Sequence, residues 1–336
     1  MTVSPTRSAL LVIVPNAEPA VGAARQELDP AAALGVPAHI TVLYPFVPPG
    51  ELCTAIDVQI ARLVGAHPAF DFALDRVATF PELTWLAPRP AAPLAALTHD
   101  ACAQFGLEPY EGEHDEVLPH LTVGHGARSL DLALHKQLRA HLPIPARASS
   151  VELWVGGPDG WSRARRFPLR QTVAQTPRLT LRTWDPAADA AAIFGVWGNA
   201  ETMRFVEGGV SESVQAVERG LCLGNRAHGD SGHCLWAVEL RETGHVIGDC
   251  GFHVVDDRPG IELGFHLDPR FWNRGYATEA ATAAVQYAFE VLAAPSIHAW
   301  VAPGNDSSVR VLGKLGFQER GLDDGERYFI LGRPSV

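Results

Sequence analysis

The run "HITV" at His39 to Val42 returns 81 residues later as "HLTV" at His120 to Val123, and this duplication constrains the fold more than any other feature of the chain. On a β-strand, residues i and i+2 share a face. His39 therefore projects with Thr41, and His120 with Thr122, while Ile40, Val42, Leu121 and Val123 turn to the opposite, apolar side. A single His-x-Thr is close to chance, and a lone histidine on an apolar strand is more often a packed or surface residue than a catalyst. The pair is another matter. Of 14 histidines only these two have Thr at +2, and both have Val at +3 and a proline shortly before, Pro37 and Pro119. Two related strands are expected, each presenting one imidazole and one hydroxyl to a shared cleft if the strands are neighbours.

Two imidazoles facing each other across a phosphodiester can divide the proton transfers, one as base and one as acid, because histidine titrates near neutrality. The threonine hydroxyls can donate to the non-bridging phosphate oxygens, where negative charge builds up. No metal is required. His114 and His125 lie nearby without a carboxylate at metal-binding spacing, so no metal site is expected.

Charge and cysteine usage narrow the partners. There are 13 Lys/Arg against 17 Asp/Glu in residues 1–170, and 14 against 21 in residues 171–336. Neither half has the basic balance of a duplex-binding domain, so small ligands or short single strands are expected rather than long polymers, and no duplex DNA. The five cysteines are scattered without a CxxC, which fits reduced thiols in a cytoplasmic protein. The apolar run Ser8 to Val14 is too short for a membrane span and lacks a signal peptide's cleavage pattern; ended by Pro15, it reads as a first strand.

At 336 residues the chain accommodates two ordinary domains. The polar stretch "RQTVAQTP", Arg170 to Pro177, follows the strand-like "SVELWVGG" and "WSRARRFPL". After it a new strand, "RLTLRTW", leads into a helix capped by Asp185 with Pro186 at its first position. The expected division is residues 1–170, a linker at 171–177, and residues 178–336. "APRPAAPLAAL", Ala87 to Leu97, reads as a loop leading into a helix.

In the first half, "VPAHITVLYPFVP", "FPELTWLAP", "PYEGEHDEVLPHLTVGHG" and "FPL" resemble the two-histidine (2H) phosphoesterases, the 2′-5′ RNA ligase-like proteins. The resemblance implies two pseudo-symmetric α/β lobes around a cleft lined by His39, Thr41, His120 and Thr122. It also implies a substrate with a 2′,3′-cyclic phosphate or a 2′-5′ linkage. Tyr44 and Phe46 stand where they could stack a base or serve as core aromatics; the stacking role is kept for Tyr44 and the core role for Phe46.

In the second half, "GIELGFHL" reads as a strand from Ile261 to Leu267, and Ala277 to Leu292 as an Ala-rich helix with apolar residues at 3–4 spacing. The turn "RFWNRGYA" between them offers free backbone N–H groups and a positive helix end to an anion. Downstream, "VAPGNDSSVRVLGKLGF" supplies a strand end, a polar turn and a helix ending at Gly316.

Together with "TPRLTLRTW", "NAETMRFVEGG" and "WAVELRETGHVIGDCGF", these runs resemble GCN5-related N-acetyltransferases (GNAT) of the type that acetylates protein N-termini, including those of ribosomal proteins. The family's pyrophosphate loop falls on Trp272 to Ala277. Gly275 and Ala277 match; Trp272 replaces a Gln or Arg, and Asn273 stands where the subgroup often has Gly. Because such a loop works through backbone N–H groups, these departures weaken the match little. The resemblance implies acetyl-CoA, its pantetheine arm along the backbone of Phe265, His266 and Leu267 and its pyrophosphate cradled by Asn273, Arg274, Gly275, Tyr276, Ala277 and Thr278.

Asn305 joins the cofactor set, and Ser308 of the Asn305-x-x-Ser308 pattern can protonate or stabilise the departing thiolate. Glu262 can take the amine's proton, directly or through water, or be a structural strand carboxylate. Glu279 is read as a first-turn carboxylate that favours the helix N-terminus, and Tyr328 as a further group that could face the thiolate.

The sequence thus implies an α/β (α+β) chain of two domains, a bilobal 2H phosphoesterase fold followed by a GNAT fold with a central mixed sheet. The leading expectation is a bifunctional cytoplasmic enzyme. A phosphodiesterase for a small nucleotide or RNA-end phosphodiester would be joined to an acetyl-CoA-dependent transferase for a primary amine. The acceptor, a protein N-terminus or a small molecule, would bind in a pocket formed by Phe205 to Asn225 and the C-terminal strands. A substrate bearing both a nucleotide phosphate and an amine would link the two halves. One alternative makes the first half a non-catalytic nucleotide- or RNA-binding recruitment module; another makes the second half a sensor of acyl-CoA.

Overall fold

The computed structural model describes residues 6–108, 118–157, 159–254 and 260–333. The chain divides into two compact units, Met1–Leu169 and Arg170–Val336. Of the residues singled out above, His114 lies outside the described residues.

The first unit comprises strands β1 (Arg7–Ile13), β2 (His39–Leu43), β3 (Phe70–Phe80), β4 (Leu83–Arg89), β5 (Leu121–His125), β6 (Ile144–Ala148), β7 (Ser150–Gly157) and β8 (Gly160–Pro168). Its helices are α1 (Glu18–Leu28), α2 (Pro30–Ala33), α3 (Thr54–Ala66), α4 (Ala92–Phe105) and α5 (Leu132–Arg139). The strand order is β6-β3-β4-β5-β2-β1-β7-β8. Two four-strand halves, β5-β4-β3-β6 and β2-β1-β7-β8, each place a His-x-Thr segment innermost. They join where Ile40 of β2 faces Leu121 of β5 in antiparallel register.

Local chemistry explains these elements. β1 carries the apolar run Ala9 to Ile13, and its middle five residues, Ser8 to Val12, are all buried, as expected of a strand covered on both faces. In β2 and β5 the burial alternates, with Ile40, Val42, Leu121 and Val123 at 2% exposure or less, so the inward set read from the sequence is the one the fold buries. α1 lies close against β5: a Cβ on Gly124 would come within 2.5 Å of the Leu28 Cβ, so only glycine allows that approach. The segment Ala87 to Leu97 is divided between the end of β4 and the start of α4, so its first three residues are strand where a loop was expected.

The second unit comprises β9 (Thr172–Gln175), β10 (Leu179–Arg182), β11 (Leu235–Leu240), β12 (Val246–Val254), β13 (Ile261–Leu267), β14 (Ser296–Val301), β15 (Gln318–Asp323) and β16 (Glu326–Gly332). Its helices are α6 (Pro186–Trp197), α7 (Ala200–Met203), α8 (Val214–Ser231), α9 (Tyr276–Glu290) and α10 (Asp306–Lys314). The order is β15-β16-β14-β13-β12-β11-β10-β9. The sheet is mixed: β13 and β14 run parallel, and the other neighbours antiparallel.

One core lies between the sheet and α9, where Ala281, Ala284 and Ala288 let the helix sit close to Phe252 and Leu263. A second gathers Ile193 and Val196 of α6 and Val217 and Leu221 of α8 with Ala237 and Val246 of the sheet. α6 starts as the sequence indicates, with the Asp185 side chain accepting from Ala188 N and Pro186 in the first turn.

The expected linker needs correction. Thr172–Gln175 forms edge strand β9, paired with β10 at Ala174 and Leu181, and the units divide between Leu169 and Arg170. An edge strand needs few core-facing side chains and is commonly polar, so its composition resembles that of a connector.

Candidate active sites

In the first unit the register decides the geometry. With Ile40 opposite Leu121, His39 stands across from Thr122 and Thr41 across from His120, all four on the face opposite Ile40. Each imidazole is held in the same way. His39 Nδ1 lies 2.7 Å from the Pro37 carbonyl oxygen, and His120 Nδ1 lies 2.7 Å from that of Leu118. A carbonyl only accepts, so both Nδ1 atoms carry hydrogen, and in the neutral ring Nε2 holds the lone pair. The two bonds repeat the pseudo-symmetry at the level of single atoms. Both Nε2 atoms are thereby prepared to take or return a proton.

The surroundings of the two rings differ. Burial pushes the His39 imidazolium down to about 4; its bond to the Pro37 carbonyl opposes that shift, and Arg25 and Asp29 contribute in opposite senses. Arg25 is itself buried and donates to Asp29 Oδ2 from Nε at 3.1 Å and from Nη2 at 2.8 Å. His120 meets Phe80 and Trp85 edge-on, with ring centroids at 5.8 and 5.7 Å, and those two rings stack at 5.0 Å.

On the His39 side a cleft of about 560 Å³ is lined by Arg7, Asp29, Thr41, Tyr44, His125 and Trp161, among others. The Tyr44 hydroxyl accepts from Arg7 Nη1 at 2.6 Å, and its ring lies 6.2 Å from that of Trp161. Phe46 is buried and meets Phe105 edge-to-face at 4.8 Å, a core role. Sequence reasoning missed Arg7, Phe80, Trp85 and Trp161. They arrive from four other strands or their ends, and only the strand order brings them to the histidines.

In the second unit the Trp272–Thr278 segment links β13 to α9. Asn273 has φ +58° and Gly275 φ +81°. Asparagine and glycine are the residues that accept the left-handed conformation at low cost, which accounts for Asn273 at this position. Trp272 Nε1 donates to the Leu267 carbonyl at 2.7 Å and ties the loop to the end of β13. The backbone N–H groups of the first turn of α9 then stand at a positive helix end.

β13 and β14 share only the pairs Ile261–Ile297 and Glu262–His298, so among the described residues the strands part beyond Glu262. Phe265, His266 and Leu267 form the diverging edge. A group with an extended amide-bearing arm and a pyrophosphate fits this combination of an open strand edge and a helix-end cradle. Acetyl-CoA is such a group, and would supply an activated acetyl thioester if bound here.

Arg178, also missed from sequence, reaches this loop. Its Nη1 donates to the Arg274 carbonyl at 3.0 Å, its Nε to Glu279 Oε2 at 2.6 Å, and its guanidinium carbon lies 4.3 Å from the centre of the Tyr276 ring. Glu279 Oε1 accepts from Thr176 Oγ1 at 2.5 Å and from Arg178 N at 3.0 Å. Partial burial would raise its carboxyl, but these hydrogen bonds hold it below the usual range. Beyond its place in the first turn, Glu279 acts as a clamp. Asn305 caps α10 by accepting from Ser308 N at 3.3 Å, placing Ser308 in the first turn of that helix.

Glu262 lies across from His253 on β12 and His298 on β14. Burial and Glu326 raise its carboxyl above the usual range. Tyr328 OH is 2.8 Å from His298 Nδ1, and its ring stacks with His298 and Trp300.

A family model described as an acetyltransferase (GNAT) domain matches residues 178–318, and one described as the 2′-5′ RNA ligase superfamily matches residues 13–160. The uncharacterized N-acetyltransferase YoaA of Bacillus subtilis is 31% identical over 154 residues, which cover 45% of this chain and 85% of that protein. The chain belongs to the GNAT acetyltransferases.

A second relative, the uncharacterized N-acetyltransferase p20 of Bacillus licheniformis, is 30% identical over 148 residues, covering 44% of this chain and 83% of that protein. Among solved structures, an acetyltransferase from Agrobacterium tumefaciens is 29% identical, with a TM-score of 0.42, covering 47% of this chain and 92% of that one. Residues 13–160, which match the 2′-5′ RNA ligase superfamily model, precede the GNAT unit. Among the described residues no group of three His, Cys, Asp or Glu side chains could hold a metal ion, and no helix is long and apolar enough to cross a membrane.

Proposed function

We propose that the chain is a bifunctional cytoplasmic enzyme. Its first unit is a metal-independent phosphodiesterase for a 2′,3′-cyclic or 2′-5′-linked nucleotide or short RNA end. Its second unit is an N-acetyltransferase for a primary amine with acetyl-CoA as donor. The observation that carries the first activity is the matched pair of Nδ1 bonds, 2.7 Å each, on His39 and His120. Pinning each Nδ1–H to a carbonyl leaves Nε2 as the atom through which each ring exchanges a proton, one ring entering neutral as the base and the other as the imidazolium acid, and this supports acid–base chemistry.

In this reading His39, kept neutral by burial, takes the proton from the attacking oxygen, and His120 gives one to the leaving oxygen. Thr41 and Thr122 donate to the non-bridging oxygens. Tyr44 stacks the nucleobase in the cleft on the His39 side. In the second unit, Asn273 to Thr278 hold the pyrophosphate and the edge from Phe265 to Leu267 pairs with the pantetheine arm. Asn305 positions Ser308, which protonates the departing thiolate, and Glu262 accepts a proton from the acceptor side.

The test is turnover of 2′,3′-cyclic nucleotides and 2′-5′ dinucleotides by wild type, His39→Ala and His120→Ala, with the products resolved by chromatography. Hydrolysis lost in both variants is expected, and the product isomer shows which P–O bond breaks. Nucleotide binding without turnover would assign the unit to recruitment instead.

A further inference from the structure

One pair of titratable side chains on the α6 side of the GNAT sheet has no part in the scheme above, which uses only the backbone of His266. Asp249 is fully buried on β12, opposite His266 of β13. Its Oδ1 lies 2.8 Å from His266 Nδ1, and its Oδ2 accepts from Trp197 Nε1 at 2.6 Å. A buried carboxylate is costly unless its oxygens are satisfied, and here both are. The His266 side chain is 18% exposed. With Nδ1 committed to Asp249, its Nε2 is on the other side of the ring.

The same face carries Glu262, four residues away along β13 and therefore roughly 13 Å distant at the strand repeat. Gly264 lies between them with no side chain. Glu262 sits where β13 and β14 still pair, and His266 where the strands have parted. Trp197, which steadies Asp249, also accepts Ser211 N on its carbonyl at 2.8 Å. This joins the dyad to the segment between α7 and α8, within the Phe205 to Asn225 stretch expected to take part in the acceptor pocket.

We propose that the Asp249–His266 dyad takes the proton from the amine itself in acetyl transfer, Glu262 being a later acceptor on the same face. The inference rests on the acetyltransferase reading of this unit. The amine nitrogen forms a bond to the acetyl carbon, and the carbon–sulfur bond breaks. The proton lost from nitrogen moves to His266 Nε2 while the Nδ1 proton stays with Asp249. The sulfur leaves with its electron pair and is protonated separately, and His266 returns its proton to water.

The dyad supports this role electrostatically. Burial alone would lower the imidazolium of His266, but the Asp249 carboxylate more than offsets it and the net shift is upward. The titratable and charged groups sharing this face include Asp249 and His253 on β12, Glu262 on β13, His298 on β14, Glu326 and Tyr328 on β16, and Arg182 of β10 with its partners Glu239 of β11 and Asp189 of α6. From α6 the dyad receives Trp197, which carries no charge.

Two measurements test the assignment. In the first, the full chain without acetyl-CoA is labelled with 15N at histidine imidazoles and titrated. His266 is expected to keep Nδ1 protonated and to titrate at Nε2 above the ordinary histidine value, and Asp249→Asn to lower that midpoint. A ring that titrates at or below the ordinary value overturns the proposal.

In the second, CoA release is followed with an alanine-initiated hexapeptide, spermine and 2-phenylethylamine as acceptor probes. His266→Gln is expected to lower kcat by about 10²-fold or more with acetyl-CoA binding by calorimetry retained. Asp249→Asn is expected to move the acidic limb of kcat/KM downward in pH. Wild-type turnover with unaltered rate and pH profile in both variants overturns the dyad's role alone. A wild type that binds acetyl-CoA but acetylates no probe overturns the transfer step on which the assignment rests.

Discussion

Ile40 and Leu121 face each other across β2 and β5, and this one pair sets His39 against Thr122 and Thr41 against His120. Each of the two motif threonines, Thr41 and Thr122, is thus the cross-strand partner of the other motif's histidine. The hydroxyls are expected to act on the phosphate while the imidazoles move protons. Thr41→Val and Thr122→Val should each lower kcat on 2′,3′-cyclic AMP by about 10²- to 10³-fold, the range for loss of one donor to a developing charge. Thr→Ser should restore most of the rate. Equal rates for Val and Ser variants would count against phosphate contact by the hydroxyls.

Burial of neutral histidines gives each unit an acid sensitivity of predictable sign. His39 in the first unit and His228 in the second are both pushed down to about 4 from an ordinary 6.5, chiefly by desolvation. Between those values the unfolded ring binds its proton before the folded one. Their contribution to stability is therefore complete above pH 6.5 and is lost as pH falls toward 4. Thermal denaturation should show Tm falling from pH 7 to pH 5, and His39→Gln should flatten that fall for the first unit. An unchanged slope in the variant would show that His39 is protonated equally in both states.

Much of the fold was legible because its strands and helices announce themselves locally. The alternation in "HITVL" and the capped start of α6 depend on neighbours in sequence, and the structure has both as read. What the sequence could not show is assembled over distance. Arg178 reaches the loop at Arg274 only because β9 and β10 bring it beside α9. Asp249 meets His266 only through the register of β12 on β13. The strand β9 was taken for a linker because its hydrogen bonds, not its side chains, hold it in the sheet. Sequence alone marked His266 for its backbone, since nothing in "LGFHLDP" reveals a buried carboxylate opposite.

The left-handed backbone at Asn273, φ +58°, makes a graded prediction for acetyl-CoA binding. Asn273→Gly keeps the loop accessible and should leave the dissociation constant within about threefold. Asn273→Val places a β-branched residue where such residues are outliers, so the loop should abandon its shape and affinity fall by tenfold or more. Calorimetric titration of both variants decides the matter. A valine variant that binds as well as wild type would mean that the cradle does not depend on this conformation.

Glu279 shows how a first-turn carboxylate can be more than a favourable charge at a helix end. It accepts three hydrogen bonds, from Thr176 Oγ1, Arg178 N and Arg178 Nε, and so ties the β9–β10 connection to α9. Through Arg178, whose Nη1 donates to the Arg274 carbonyl, the clamp extends to the loop read here as the pyrophosphate cradle. Glu279→Ala removes all three acceptors at once. The partners are partly exposed and can turn to water, so the loss in stability should be moderate, about 1–3 kcal/mol. Acetyl-CoA affinity should fall as well, because Arg178 loses the partner that aims it. Glu279→Gln keeps the shape and one acceptor oxygen, and should recover part of both. If Glu279→Ala lowers the Tm of the second unit while leaving acetyl-CoA affinity intact, the clamp serves the sheet alone and Arg178 has no part in shaping the cradle.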